Sequence, residues 1–510
     1  MSLDLSTPEW GMVVPQLIVF FTALILLFAD AFIPKERHYT ILTGISLVGY
    51  GAGIVALFWQ HGTTNSTFSG SFRADGLTLF LTLTILVAAI LTVVSSASYV
   101  ERLEGRMPLG EYYVLIAFAT LGSLLVASAG DLVILFIGIE LTSLSTYILA
   151  AFARRRATAL EGAIKYFLLG AFASTILLYG MAWIYGATGS TNLDAIASEL
   201  GATLANQDTT EASLLLGMLL LIVGVGFKMA AVPFHFWTPD AYDGAPTPVT
   251  GFMSAIPKVA AFAAAIRILV QALEPMRDDW AIVIAVLALI TMVFGNIVAV
   301  SQRNVKRMLA YSSIAHTGYI MAGIAAYNTD AGFGTGQNAT DDGITSVLYY
   351  MLSYVIMNIG AFAVVAWVQH RGDGMMLDDL SGLAKNSLPA AAALSVFMIA
   401  LMGIPPTIGF YAKYYVIVAL LNSELLWLAL AIVLMSAVSA YFYLRVVAVM
   451  FFSDPAESDA EFTSPPTQVL NWGIAGMVIA TIVLGVFSTD IVNLAADWSD
   501  ALMTVAQTTP

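Results

Sequence analysis

The chain reads as an all-α polytopic membrane protein of about 14 transmembrane helices, with two inverted five-helix repeats (helices 4–8 and 9–13) and broken helices 7 and 12. Three observations predict this. Of 510 residues, 59% are hydrophobic and 11% charged, against about 45–50% and about 25% in soluble domains. Apolar stretches of about 20 residues, the length that crosses a bilayer core, recur along the whole chain. Two of them carry proline beside a lysine: Pro233 after Lys228, and Pro405–Pro406 ahead of Lys413.

The first stretch, 11–33, follows Asp4 and Glu9 and not a basic segment, so it reads as a permanent helix and not a signal peptide. Stretches at 40–60 and 77–99 complete a three-helix segment, 1–110. The first repeat, 111–270, takes those at 111–129, 131–153, 163–187, 212–232 and 247–270. The second, 271–452, takes 280–300, 307–327, 345–369, 388–421 and 425–451; one span at 470–489 and a tail fill 453–510. An odd number of spans per repeat inverts the second copy, and paired broken helices mark transporters with a path at the midplane. Membrane barrels show short alternating segments instead.

Basic residues orient the chain. Twelve lie in loops after odd-numbered spans (Lys35, Arg37, Arg102, Arg106, Arg154, Arg155, Arg156, Arg303, Lys306, Arg307, Arg371, Lys385), and only Arg73 and Arg277 on the other side. The positive-inside rule then places both termini outside. A net charge of −14 with no basic stripe excludes a nucleic-acid partner. The absence of cysteine excludes disulfides, iron–sulfur ligation and cysteine zinc sites. No nucleotide-binding signature is present, and five scattered histidines, with His38, His61 and His370 in loops, give no haem ligation. No cofactor or metal is expected on this chain.

Six basic residues fall inside spans: Lys165, Lys228, Lys258, Arg267, Lys413 and Arg445. Each costs about 2.5–3.5 kcal/mol at the bilayer centre on insertion scales, so they ask for a role. Glu140, about nine residues into the fifth span, lies on the order of 13 Å deep, and reads as a titrating carboxylate or as half of a structural ion pair. Lys228 precedes the break at Pro233, and broken backbone in a membrane is tolerated where it is buried in protein or lines a hydrated cavity. His235, just past that proline, is a packing residue or a proton carrier. Pro257 immediately precedes Lys258 and is expected to interrupt the eighth helix there. Lys165, with Glu161 at i−4, forms a helical pair or joins a relay. His316, with Ser312, Ser313, Thr317 and Tyr319 nearby, supports a water wire or interhelical packing equally. Arg267 and Arg445, late in their helices, read as end anchors.

GVGFKMAAVPFHFWTPDAYDGAPTPVTGFMSAIPKVAAF (224–262), NVKRMLAYSSIAHTGYI and GIPPTIGFYAKYYV together resemble N-type subunits of the antiporter-like membrane-arm family of complex I (NADH–quinone oxidoreductase). The resemblance covers nearly the whole chain. It implies a proton relay of Glu140, Lys228, Lys258 and Lys413, with Lys165, His235 and His316 in support. M-type subunits usually carry glutamate where Lys413 stands, and L-type chains extend well beyond a fourteenth span. The resemblance further implies K-, M-, L-, J-, A- and H-type partner subunits in a plasma membrane, and FMN or its equivalent, iron–sulfur clusters and quinone on those other subunits. In the expected mechanism Lys258 takes a proton from the inside, the Glu140–Lys228 attraction tunes the lysines, and Lys413 releases outward. Rival readings are a subunit of a cation/proton antiporter or membrane-bound hydrogenase, a structural subunit whose charges fix packing, and a freestanding carrier.

Overall fold

The computed structural model describes residues 8–34, 37–60, 65–103, 109–205, 212–327, 342–369, 376–454 and 468–507. Lys35, Arg106 and Arg371 of the orientation argument, with His61 and His370, lie outside them. The chain opens with α1 (Val14–Phe32) and α2 (His38–Trp59), a hairpin of β1 (Asn65–Thr67) and β2 (Phe72–Ala74), and α3 (Gly76–Leu103). Next come α4 (Leu109–Ala127), α5 (Leu132–Ala150), α6 (Ala157–Thr188), α7 (Leu193–Leu204), α8 (Ala212–Met229), α9 (Trp237–Gly244) and α10 (Thr247–Ile266). Then follow α11 (Arg277–Ser301), α12 (Val305–Ala325), α13 (Asp342–Val368), α14 (Leu383–Asn386), α15 (Leu388–Met402), α16 (Ile408–Asn422) and α17 (Leu426–Phe452). α18 (Gln468–Val486) and α19 (Ser488–Gln507) close the described chain.

Among the described residues twelve helices are long and apolar enough to cross a membrane. α15 and α16 are two shorter apolar helices on either side of Gly403–Thr407, as expected of a broken twelfth span. α12 is more polar, carrying Lys306, Arg307, Ser312, Ser313, His316 and Thr317; with it, the expected fourteen are present. The seventh span breaks between α8 and α9, where Ala230 turns left-handed (φ 64°), and the twelfth at Gly403 (φ 91°).

The two sets of five helices make matching contacts. α4 packs on α5 as α11 packs on α12, α4 on α10 as α11 on α17, and α6 on the broken pair α8 and α9 as α13 on α15 and α16. α10 sits at the centre: apart from Pro257, every residue from Thr247 to Ile266 is buried.

The expected interruption at Pro257 does not occur. α10 runs through it, because a proline there removes one backbone donor, while packing on all sides holds the helix. Its irregularity comes later, as a π-helical turn at Arg267–Ala272. The β-hairpin, α7, α14 and α19 lie outside the expected spans, and α9 continues the broken seventh span beyond its expected end at residue 232. α7 is capped by Asn192, whose side chain accepts from Asp194 N–H and Ala195 N–H at 3.1 Å each, an N-cap signal present in the sequence.

Candidate functional site

α5, α6 and the end of α8 assemble the first part of the site. Lys228 Nζ stands 3.8 Å from Glu140 Oε1 but donates at 2.8 Å to Ser143 Oγ and at 3.3 Å to Tyr147 OH. Glu140 instead accepts from Ser174 Oγ of α6 at 2.5 Å. The lysine side chain is 7% exposed and the glutamate 26%. Thus the pair is in electrostatic contact, yet each partner also has a neutral hydroxyl competing for it. Ser143 and Tyr147 lie three and seven residues past Glu140, on the same helical face.

The break exposes helix-end carbonyls that need donors. Trp237 Nε1 donates to Phe227 O at 3.1 Å, and Thr317 Oγ1 of α12 lies 2.8 Å from Met229 O, where it donates. Thr317 also receives Lys258 Nζ at 2.8 Å, and Lys258 donates further to Ser313 Oγ at 2.5 Å and Ser313 O at 2.8 Å. At the second break Lys413 Nζ donates to Met402 O, the last residue of α15, at 2.8 Å and lies 4.9 Å from the centroid of the Tyr319 ring. Both breaks therefore end in a methionine carbonyl tied to a buried lysine, directly or through Thr317.

α12 is the spine between these lysines. Ser313 and Thr317 hold Lys258, and Tyr319 lies under Lys413. His316, also buried, meets Tyr350 OH through Nδ1 at 2.7 Å and Tyr443 OH through Nε2 at 3.3 Å. Among the described residues no carboxylate lies within ion-pair distance of Lys258 or Lys413. Their partners are hydroxyls, carbonyls and an aromatic face. A hydroxyl can accept from an ammonium or donate to a neutral amine, so the Ser313 and Thr317 hydroxyls can serve Lys258 in either protonation state.

Two predicted supporting residues lie elsewhere. Lys165 is a half-exposed residue between Glu161 Oε1 and Asp240 Oδ2, 2.7 Å from each, and Arg307 reaches the other Asp240 oxygen at 2.8 Å. It belongs to a charged cluster at the α6–α9–α12 contact and not to the buried row. His235 sits between Phe236 and Phe294 at centroid distances of 4.8 and 4.6 Å, its Nδ1 buried without a partner. Among the described residues it makes no hydrogen bond to Lys228 or Lys258.

Arg445 donates to Val300 O and Gln302 O at the end of α11, a helix-end anchor as expected. Arg267 does more. Its guanidinium grips both oxygens of Asp75 at 2.6 and 2.8 Å, and reaches Ala127 O and Thr78 Oγ1. Burial works to raise the Asp75 pKa; the Arg267 charge and hydrogen bond, then Arg73 and the Thr78 N–H, outweigh it and hold the carboxyl well below the usual range. The sequence reading missed Asp75, Ser143, Tyr147, Ser174 and Asp240. Ser143 and Tyr147 share helical spacing with Glu140, but Ser174 stands 34 residues from Glu140 and Asp75 192 residues from Arg267, beyond any local pattern.

Residues 129–439 match the family described as NADH:quinone oxidoreductase/Mrp antiporter, TM. The chain is 43% identical over 486 residues to NADH-quinone oxidoreductase subunit N of Trichlorobacter lovleyi, covering 94% of this chain and 95% of the relative. The chain belongs to this antiporter-like family. Within the family, a chain of respiratory complex I from Thermus thermophilus with bound aureothin superposes with a TM-score of 0.77 at 32% identity, covering 94% of this chain and 99% of that one. A chain of the Mrp complex from Dietzia shares the fold at TM-score 0.79 and 22% identity, with 98% and 99% covered. The family match spans α5 to α17 almost entirely, and with them every buried lysine of the site.

Proposed function

We propose that this chain is the N-type, proton-translocating subunit in the membrane arm of a respiratory NADH–quinone oxidoreductase, coupling quinone reduction elsewhere in the complex to proton movement through Glu140, Lys228, Lys258 and Lys413. The observation that carries the reading is the row itself. Lys258 and Lys413 are buried and the Lys228 side chain is 7% exposed; along α12, Ser313 and Thr317 hold Lys258, Thr317 also donates to Met229 O beside Lys228, and Tyr319 lies against Lys413. An uncompensated buried ammonium is costly, and two lysines buried without a carboxylate, Lys258 and Lys413, are best explained by groups that exchange protons.

Lys258 accepts a proton from the inner side. When Lys228 leaves Ser143 and closes on Glu140, the positive charge near Lys258 moves away; when it returns, that charge favours transfer along α12 past His316 toward Lys413 and release outward. Lys165 and the Asp240 cluster guard the inner surface, and His235 lines the break. FMN or its equivalent, iron–sulfur clusters and quinone belong to other subunits; K-, M-, L-, J-, A- and H-type chains cover its exposed apolar faces, such as that of Phe172 and Leu168 on α6. The protein sits in the plasma membrane with both termini outside. The matching contacts of the two helical sets support dividing the chain at 1–110, 111–270, 271–452 and 453–510.

Substituting Glu140→Ala or Lys228→Ala in the assembled complex tests this. Quinone-coupled proton pumping should fall greatly while assembly persists; full pumping by both assembled variants would sink the reading.

A further inference from the structure

The seam between α10 and α13 carries polar pairs that climb from the start of α10 to Lys258. The Thr247 hydroxyl donates to the Gln369 amide oxygen. Further along, Asn358 Nδ2 donates to Ser254 Oγ at 2.5 Å, and Ser254 Oγ donates to Gly251 O at 2.7 Å. One turn beyond, Lys258 Nζ stands 5.5 Å from the Tyr354 ring centroid. The i, i+4 spacing of Ser254 and Lys258 on one helix, and of Tyr354 and Asn358 on the other, makes these a ladder. Between the first and second pairs the seam turns apolar: a Cβ at Gly251 would meet the Phe362 Cβ at 3.2 Å.

One atom of this ladder is unaccounted for. Asn358 is fully buried, and its Oδ1 has no hydrogen-bond partner. The amide cannot be turned round to relieve this, because Ser254 already commits its proton to Gly251 O and so needs the Nδ2 donor. The Tyr354 hydroxyl, near Ser313 but not in hydrogen-bonding geometry with it, is a second unpaired buried group. Buried polar atoms of this kind are matched by a partner or by an ordered water. Asn358 Oδ1 and Tyr354 OH, one helical turn apart on α13, are the two unpaired polar atoms on this stretch of the seam, and the Tyr354 ring faces Lys258.

We propose that the α10–α13 seam is the proton-intake route to Lys258, in which Asn358 Oδ1 holds the last water before the lysine and Phe362 against Gly251 is its dry constriction. The inference rests on the relay reading above and names its inner branch. In the transfer, an O–H bond of that water breaks as an N–H bond forms on the neutral Lys258 amine. The hydroxide left behind takes its proton from water of the inner aqueous phase, which reaches it past Thr247 and Gln369 when the constriction opens. Phe362 limits this to moments when its ring shifts, which prevents a standing leak.

The test uses the assembled complex in sealed vesicles. Asn358→Leu keeps the volume and removes the acceptor; it should reproduce the loss of pumping caused by Lys258→Met, and Asn358→Gln should restore much of it. Because this chain contains no cysteine, Ser254→Cys gives it a single reactive site. A small methanethiosulfonate added from the inner side should label it slowly, at the rate at which the Phe362 ring shifts, and faster with Phe362→Ala, whereas one added from the outer side should not label it. Full pumping by Asn358→Leu, or protection of Ser254→Cys from the inner side, overturns the proposal, and the labelling result decides if Asn358→Leu does not assemble. Normal pumping by Lys258→Met would defeat the relay itself, whereas loss there with full pumping by Asn358→Leu defeats only the seam.

Discussion

At the scale of single residues the site is built from charges whose partners are neutral. Ser143, Tyr147 and Ser174 hold Lys228 and Glu140 slightly apart, so removing a competitor should close the pair. Ser143→Ala is expected to strengthen the Glu140–Lys228 contact and to slow pumping without abolishing it, measured as protons moved per electron pair in vesicles. Asp75 and Arg267 behave differently, as a fully formed buried ion pair with extra hydrogen bonds. Breaking such a pair costs about 3–5 kcal/mol, so Asp75→Asn should lower the thermal unfolding midpoint in detergent. The sign of the pH dependence follows from a carboxyl held below its ordinary value. Its contribution is complete above the unfolded pKa near 3.9 and fades as pH falls toward the folded one. The gap between wild type and Asp75→Asn should therefore be constant from neutrality to about pH 5 and narrow below about pH 4; a gap that widens on acidification contradicts this assignment.

At the scale of elements, close approach decides where the charges sit. Gly224 lets α8 lie against α6: a Cβ there would fall 2.5 Å from the Leu177 Cβ and 2.8 Å from its Cα. Gly224→Val should push the helices apart, cost about 1–3 kcal/mol through overpacking, and move Lys228, four residues on, away from Ser143. Lower stability together with reduced pumping in the assembled complex is the expected pair of results. Hydropathy made the spans legible in the sequence, and the breaks were legible at Pro233 and Pro405–Pro406, where left-handed Ala230 and Gly403 end the helices. Pro257 misled for a physical reason. One missing backbone donor does not break a helix that is packed on every side, whereas a left-handed residue does end one. The β-hairpin, α7 and α19 were not legible as spans because they do not need to bury a full apolar surface in the membrane; α7 alone carried a readable cap at Asn192.

At the scale of the whole molecule, the identity of the buried lysines was readable from composition, since charge inside apolar stretches is rare and costly. Their connection was not. It depends on α12, whose Ser313, His316, Thr317 and Tyr319 meet α8, α10, α13, α16 and α17 at once. Lys165 and His235 illustrate the converse: Lys165, a basic residue inside a span, and His235, seven residues past Lys228, are held by Asp240 and by aromatic rings instead. The central claim is that the α12-linked row carries protons and is not merely a way of fixing helix packing. The most direct measurement is the number of protons pumped per electron pair by the assembled complex carrying Lys258→Met, in sealed vesicles with quinone as acceptor. The account predicts an assembled complex with a clearly lowered ratio; an assembled complex that pumps at the wild-type ratio would contradict it.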